Sequence, residues 1–420
     1  MPRTDGPFAQ PRLATMPQVA LAAAVTALLC TGTLITAATP VAEREDSSGS
    51  PAVDWREAEA GILENHVQLT FPDRFIKAGE AYFSRDNERI IFQAIEKPDD
   101  PDAEPDDFYA MFVADVIRDR SGSITGLDGI RRISPDGSAN TCGWFDPDDP
   151  DVVIFGSTVH PPEDQDPPGY RRGTRRYQWM FPPEMNIYRV HLDDADGSPQ
   201  SLVHLAGRDS AYAAECAMSA DGRHMVFCSL ESGRGDLFVM DMEDESITQI
   251  IEAEGYDGGP FFSPDGKRLC YRSDRAGNNL LQLYVAELEF DEDGSIVGVE
   301  REFQLTDNEH VNWAPYWHPD GRHLAYATSE VSHRQYEVFL IDADPGNLED
   351  SSGPTRYGTN KRRITHSTGF DGLPVFDWDG EVMMWTSQRG EGGSSQIWVA
   401  DFVLDLDAPK QPVRPGSQSR

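Results

Sequence analysis

Carboxylates and amides recur at fixed places ahead of short hydrophobic runs in this chain. Asn140, Asp257, Asn312 and Asp371 share one register when the runs are aligned, with Trp313 one place on, and Glu80 and Glu215 share the register after that. Polar groups that converge from several segments can bind a cation, a peptide amine or sugar hydroxyls. The competing role is local, because Asp and Asn side chains also cap their own turns. A second group is Arg171, Arg172, Arg175, Arg176 and Trp179, inside the long stretch from Val159 to Glu184. Arginine and aromatic side chains are favoured at interface centres, and a long loop often carries binding. The alternative is a cover held to an acidic surface by ion pairs within the molecule. Arg275 and Arg389, in the links SDRAG and SQRG, complete the candidate binding set.

Catalytic patterns are missing after the apolar leader. There is no GxSxG elbow, HExxH helix, Walker loop or CxxC pair. His160, His310, His318 and His333 are scattered, so no catalytic residue, metal ligand or cofactor is expected.

The elements that must position these groups are repeats. Gly255 to Leu288 reads as three strands, with a Pro264-Asp265-Gly266 turn between the first two, and Phe303 to Asp307 supplies a fourth. Such a unit occurs six times. Second strands place Phe92, Phe155, Phe227, Tyr271, Tyr326 and Trp385 at one register; third strands place Phe112, Tyr188, Phe238, Tyr284, Phe339 and Trp398 at another. Two columns of six rings suit packing between stacked sheets. The last copy lacks a fourth strand, which His66-Val-Gln-Leu-Thr70 can supply, so that an N-terminal strand closes the ring and hides both edges. The expected fold is all-β, a six-bladed β-propeller of four-stranded antiparallel blades. In such a meander the lead-in loops and the links between strands two and three share one face, and the Pro-Asp-Gly turns lie on the other.

The repeats FFSPDGKRLCYRSDRAG, YWHPDGRHLAYATS and GFDGLPVFDWDGEVMMWTSQRG resemble those of the TolB-like β-propeller family of exported bacterial proteins. The resemblance implies the architecture and leaves activity open, since propellers host unrelated functions. Oligogalacturonate lyases are built from similar repeats and use His with a metal, which makes a metal-assisted lyase using His160 or His310 the alternative.

Charge and leader bound the setting. With 72 acidic and 36 basic residues the net charge is −36, which argues against nucleic acid as a partner. Residues 19–38 form an apolar run after Arg3 and Arg12, the layout of a secretory signal with cleavage after Ala38 or Ala42; a retained membrane helix or a lipid anchor at Cys30 are the other readings. The expected organisation is leader 1–42, linker 43–63, propeller 64–405 and polar tail 406–420. Cys142, Cys216, Cys228 and Cys270 are expected as free buried thiols. The reading is a monomeric, non-catalytic binding module of the periplasm or cell exterior. Its expected partner is an envelope protein, a peptide or a glycan, and it meets membrane only through its N-terminal segment.

Overall fold

The computed structural model describes residues 54–163, 169–170, 177–178, 181–208, 210–332, 335–343 and 360–406. Six four-stranded antiparallel sheets follow one another along the chain. Blade 1 is Phe75–Phe83, Arg89–Glu96, Ala110–Arg118 and Ile124–Arg132; blade 4 is Asp257–Phe262, Arg268–Ser273, Gln282–Phe290 and Ile296–Gln304. Blade 6 takes three strands from Asp371–Phe376, Val382–Ser387 and Gln396–Phe402, and its fourth, Leu63–Gln68, from the start of the described chain. Leu63 faces Phe402 and Gln68 faces Trp398, so the N-terminal strand closes the ring as expected.

The two ring columns pair across strands in every blade, from Phe92 opposite Phe112 to Trp385 opposite Trp398. Phe92 and Phe112 stack at 5.5 Å, and Tyr271 and Tyr284 at 5.7 Å. Each such pair adds about 0.5–1.5 kcal/mol beyond the area it buries. The core lies between the blades, where both faces of every sheet must be covered.

Each inner strand carries a β-bulge at the same register. Glu80, Cys142, Glu215, Gly259, Ala314 and Leu373 all have φ between 48° and 59°, and the ladder slips there in every blade. None of the six is β-branched, as a left-handed backbone requires. A bulge re-aims a side chain, and six of them in a ring decide what reaches the central channel.

Residues 54–62, expected as linker, include helix α1 (Trp55–Glu59), capped by the Asp54 carboxylate. Its last residue, Glu59, is fully buried. The Arg389 guanidinium donates to both Glu59 oxygens at 2.9 and 3.1 Å and to Asp371 Oδ2 at 3.1 Å, and it lies against the Trp55, Trp385 and Trp398 rings. His66 Nε2 and the His366 amide complete the contacts of Glu59. Burial pushes the Glu59 carboxyl up, but His66 and Arg389 outweigh it, so the group sits below its ordinary value.

Candidate functional site: the channel and its mouth

Two residues past the bulges, Tyr82, Trp144, Phe261 and Tyr316 project from blades 1, 2, 4 and 5. Blades 1 and 4 stand opposite each other, as do 2 and 5. Tyr82 reaches Phe261 at 5.7 Å and Trp144 reaches Tyr316 at 6.5 Å, so rings meet across the axis. The rings therefore form an aromatic floor across the axis, with a recess on its turn side.

On the lead-in side the bulges assemble a polar cluster. The Cys142 thiol donates to Glu80 Oε1 at 3.0 Å and the Thr141 hydroxyl to Oε2 at 3.4 Å. Glu215 accepts from the Tyr256 hydroxyl at 2.6 Å, from the Gly259 amide and from Arg272 at 3.1 Å. Arg272 belongs to a second strand and reaches the cluster only because Gly258 and Gly259 leave a window. A Cβ on Gly259 would stand 1.9 Å from the guanidinium, and one on Gly258 would stand 2.1 Å from the Tyr256 oxygen. Burial and the nearby Glu215 charge raise the Glu80 carboxyl above its ordinary range. Burial, followed by the Glu80 and Glu215 charges, pushes the Cys142 thiol well up, so it stays protonated and is a poor nucleophile. Trp313 stands at the rim with Phe370 at 6.2 Å and Tyr336 at 6.4 Å. The mouth is thus charged on the side of blades 1 to 4 and aromatic on the side of blades 5 and 6.

The register shared by Asn140, Asp257, Asn312 and Asp371 lies one layer back. All four are buried. Asn140 donates to the Tyr109 carbonyl and Asn312 to Gln282 Oε1, each on the preceding blade. These residues open cross-strand triplets such as Asn312, Thr328, Glu337 and Asp371, Ser387, Gln396; blade 1 has Ala78, Ala94 and Ala110 instead. Asp257 pairs with Arg275 at 3.3 Å, and its carboxyl is pushed up to about 6, by burial first. Arg275 also meets Glu302 and lies over the Tyr284 ring at 4.5 Å. Arg389 has no exposed side-chain surface. Of the candidate residues, Glu80 and Glu215 are brought together at the channel and Trp313 stands apart with Phe370 and Tyr336, while Asn140, Asp257, Asn312, Asp371, Arg275 and Arg389 hold blades and links in place around it. Arg171, Arg172, Arg175, Arg176 and Trp179 lie outside the described residues.

Arg272, Tyr256, Cys142 and the aromatic floor were not among the candidates from sequence. The floor had a signal, since Tyr82, Trp144, Phe261 and Tyr316 occupy one aligned register. Arg272 had none, because strand alternation does not foretell a side chain crossing through a glycine gap. The four cysteines are free. His160 is exposed, His318 lies on the turn face as the meander requires, and His333 lies outside the described residues. Among the described residues no three His, Cys, Asp or Glu groups are placed to hold a metal ion.

The closed ring of six blades with a plugged axis defines a six-bladed β-propeller. Residues 189–296 match the family described as the TolB beta propeller domain. A TolB homolog of Chlorobium luteolum is 26% identical over 191 residues, 45% of this chain and 35% of that protein. The crystal structure of TolB from Acinetobacter baumannii has a TM-score of 0.47 at 17% identity, covering 76% of this chain and 65% of that one. That of oligogalacturonate lyase from Vibrio parahaemolyticus has a TM-score of 0.44 at 13% identity, covering 80% and 92%. The chain spans less than half the length of the curated relatives it matches. It is a six-bladed β-propeller whose residues 189–296 are similar to the TolB beta propeller domain.

Proposed function

We propose that this protein is a non-catalytic binding module of the cell envelope, exported by the leader at residues 19–38, that engages a protein or peptide through the lead-in face of its channel. The observation that carries this reading is the blocked axis: rings meet across it beneath a mouth with charged and aromatic halves, which favours a contact surface over a passage. Glu80 and Trp313 are its contact groups, Glu215 and Arg272 fix its wall, and the loop bearing Arg171, Arg172, Arg175, Arg176 and Trp179 is its gate. A raised carboxyl and a protonated thiol supply hydrogen bonding and no activated nucleophile. The relatives named as Tol-Pal system proteins support a protein partner in general terms.

Envelope extracts passed over immobilised propeller provide the test. Glu80→Gln with Trp313→Ala is expected to lose most of the retained partner, and Arg171, Arg172, Arg175 and Arg176 together changed to Ala to reduce it further. Retention unchanged in both variants would sink the reading. The lyase reading places chemistry at His160 or His310; cleavage of acidic oligogalacturonate dependent on either imidazole would replace the binding module with an enzyme.

A further inference from the structure

The recess on the other side of the aromatic floor is separate from the proposed binding face. It opens among the turns that join first to second strands, encloses about 240 Å³ and is walled by Trp144, Phe261, Tyr316, Trp317, Phe376 and Trp378. That is room for several waters or for apolar side chains, and not for a folded domain. The turns around it are acidic: Asp86, Asp148, Asp221, Asp265, Asp320 and Asp379 stand one to a turn in the six blades, several of them bonded to their own turn, and Asp377 is the carboxylate of the lining. One cation from this chain already uses it, since the Arg85 guanidinium lies 4.3 Å from the Trp378 ring centroid. Aromatic walls inside an acidic rim suit a basic, proline-rich peptide, because prolines present a rigid apolar edge to rings and cations answer the rim.

The chain carries such a segment at the right place. Past its last strand, Leu404, Asp405 and Leu406 line a cleft with His318, Asp320 and Gly380. Pro319, between two of those residues, and Trp378, two before the third, line the aromatic recess. The described chain therefore ends one turn away from it. Residues 407–420 follow as DAPKQPVRPGSQSR, with Lys410, Arg414 and Arg420 against Asp407, in a protein of net charge −36. Pro409, Pro412 and Pro415 are spaced by three, the period that sets prolines along one edge of a polyproline II helix. Extended, the segment reaches up to about 45 Å, far more than one turn.

We infer that residues 407–420 dock on the turn face, with Pro409, Pro412 and Pro415 against the Trp378 side of the aromatic recess and Lys410 and Arg414 at its acidic rim. The contact is intramolecular, so it acts at an effective concentration of the order of millimolar and excludes weak competitors in trans. It goes beyond the proposed function and does not depend on it.

A fluorescently labelled synthetic peptide of residues 407–420 tests this, with anisotropy and tryptophan emission as readouts. Three proteins are compared: the full chain, the chain ended at Leu406, and the full chain carrying Lys410→Glu with Arg414→Glu, which leaves the propeller untouched. The ended chain and the charge variant are expected to bind the peptide saturably, at least about tenfold more tightly than the full chain, and less tightly as salt rises. Trp378→Ala in the ended chain should abolish binding while its melting curve still reports a folded propeller. A scrambled peptide of the same composition should bind at least about tenfold more weakly. Absence of saturable binding to the ended chain at about 1 mM peptide would overturn the inference. Equal binding to all three proteins would also overturn it, by assigning the recess to a partner in trans.

Discussion

At Gly259 a guanidinium occupies the space where a side chain would stand. Its φ of 58° is no worse than the 50° that Ala314 adopts at the equivalent bulge, so backbone strain does not demand glycine there. The Arg272 group 1.9 Å from the would-be Cβ does. Gly259→Ala is expected to cost on the order of 1–3 kcal/mol, because displacing Arg272 takes a hydrogen-bond partner from the buried Glu215. Gly233→Ala, where nothing lies within 4 Å, is the control for a φ of 85° alone. Urea denaturation of both separates the terms; an equal loss at the two sites would refute the window. Glu337 makes a second residue-level prediction. It is buried between blades 5 and 6, and burial, then the Asp371 charge, pushes its carboxyl up to about 7. A folded value above the unfolded one gives stability that is full below about 4.5 and is lost as pH rises toward 7, with a slope of up to about 1.4 kcal/mol per pH unit. Glu337→Gln should flatten that part of the pH–stability curve. An unchanged slope would mean that the Arg363 contact at 2.7 Å keeps Glu337 ionised throughout.

At the scale of elements, the closing strand is short and bulged, with Asn65 at a φ of 53°. Four paired residues are a weak seam, and helix α1 reinforces it through Glu59 and Arg389. Breaking a buried pair by removing one partner typically costs about 3–5 kcal/mol, so Glu59→Gln should lower stability at pH 7 by that order. The Glu59 carboxyl sits below its unfolded value, so its stabilisation is complete above about 4.5 and fades as pH falls through the lowered folded value. The gap between Glu59→Gln and the parent, measured by urea denaturation, should therefore narrow in acid; a gap independent of pH would show that shape, not charge, holds the helix. This latch was not legible in the sequence, whereas the blades were. Turns and ring columns recur locally and announce themselves by period. Glu59 and Arg389 meet across 330 residues with no repeat to link them, and a polar stretch ahead of the first strand reads as linker. The bulges were illegible for a related reason, since Glu80, Cys142, Glu215, Gly259, Ala314 and Leu373 share a conformation without sharing a residue type.

For the whole molecule, closure and the plugged axis turn six similar sheets into a body with two unlike faces. The lead-in face carries Glu80, Glu215 and Trp313 in a half-charged, half-aromatic mouth, and the turn face carries the acidic rim and the aromatic recess. The ring columns and polar triplets are spent on packing between blades, so specificity is left to the mouths and to the links around them. Where a partner touches the propeller is the most direct readout of the binding face. A photo-crosslinking side chain placed at Trp313 and, separately, at Val203 on an outer strand should be irradiated in envelope extract with and without excess unlabelled propeller. One discrete adduct at 313 that the excess suppresses, and none at 203, is expected; adducts of equal yield at both positions, or at 203 alone, would overturn the lead-in face as the contact surface.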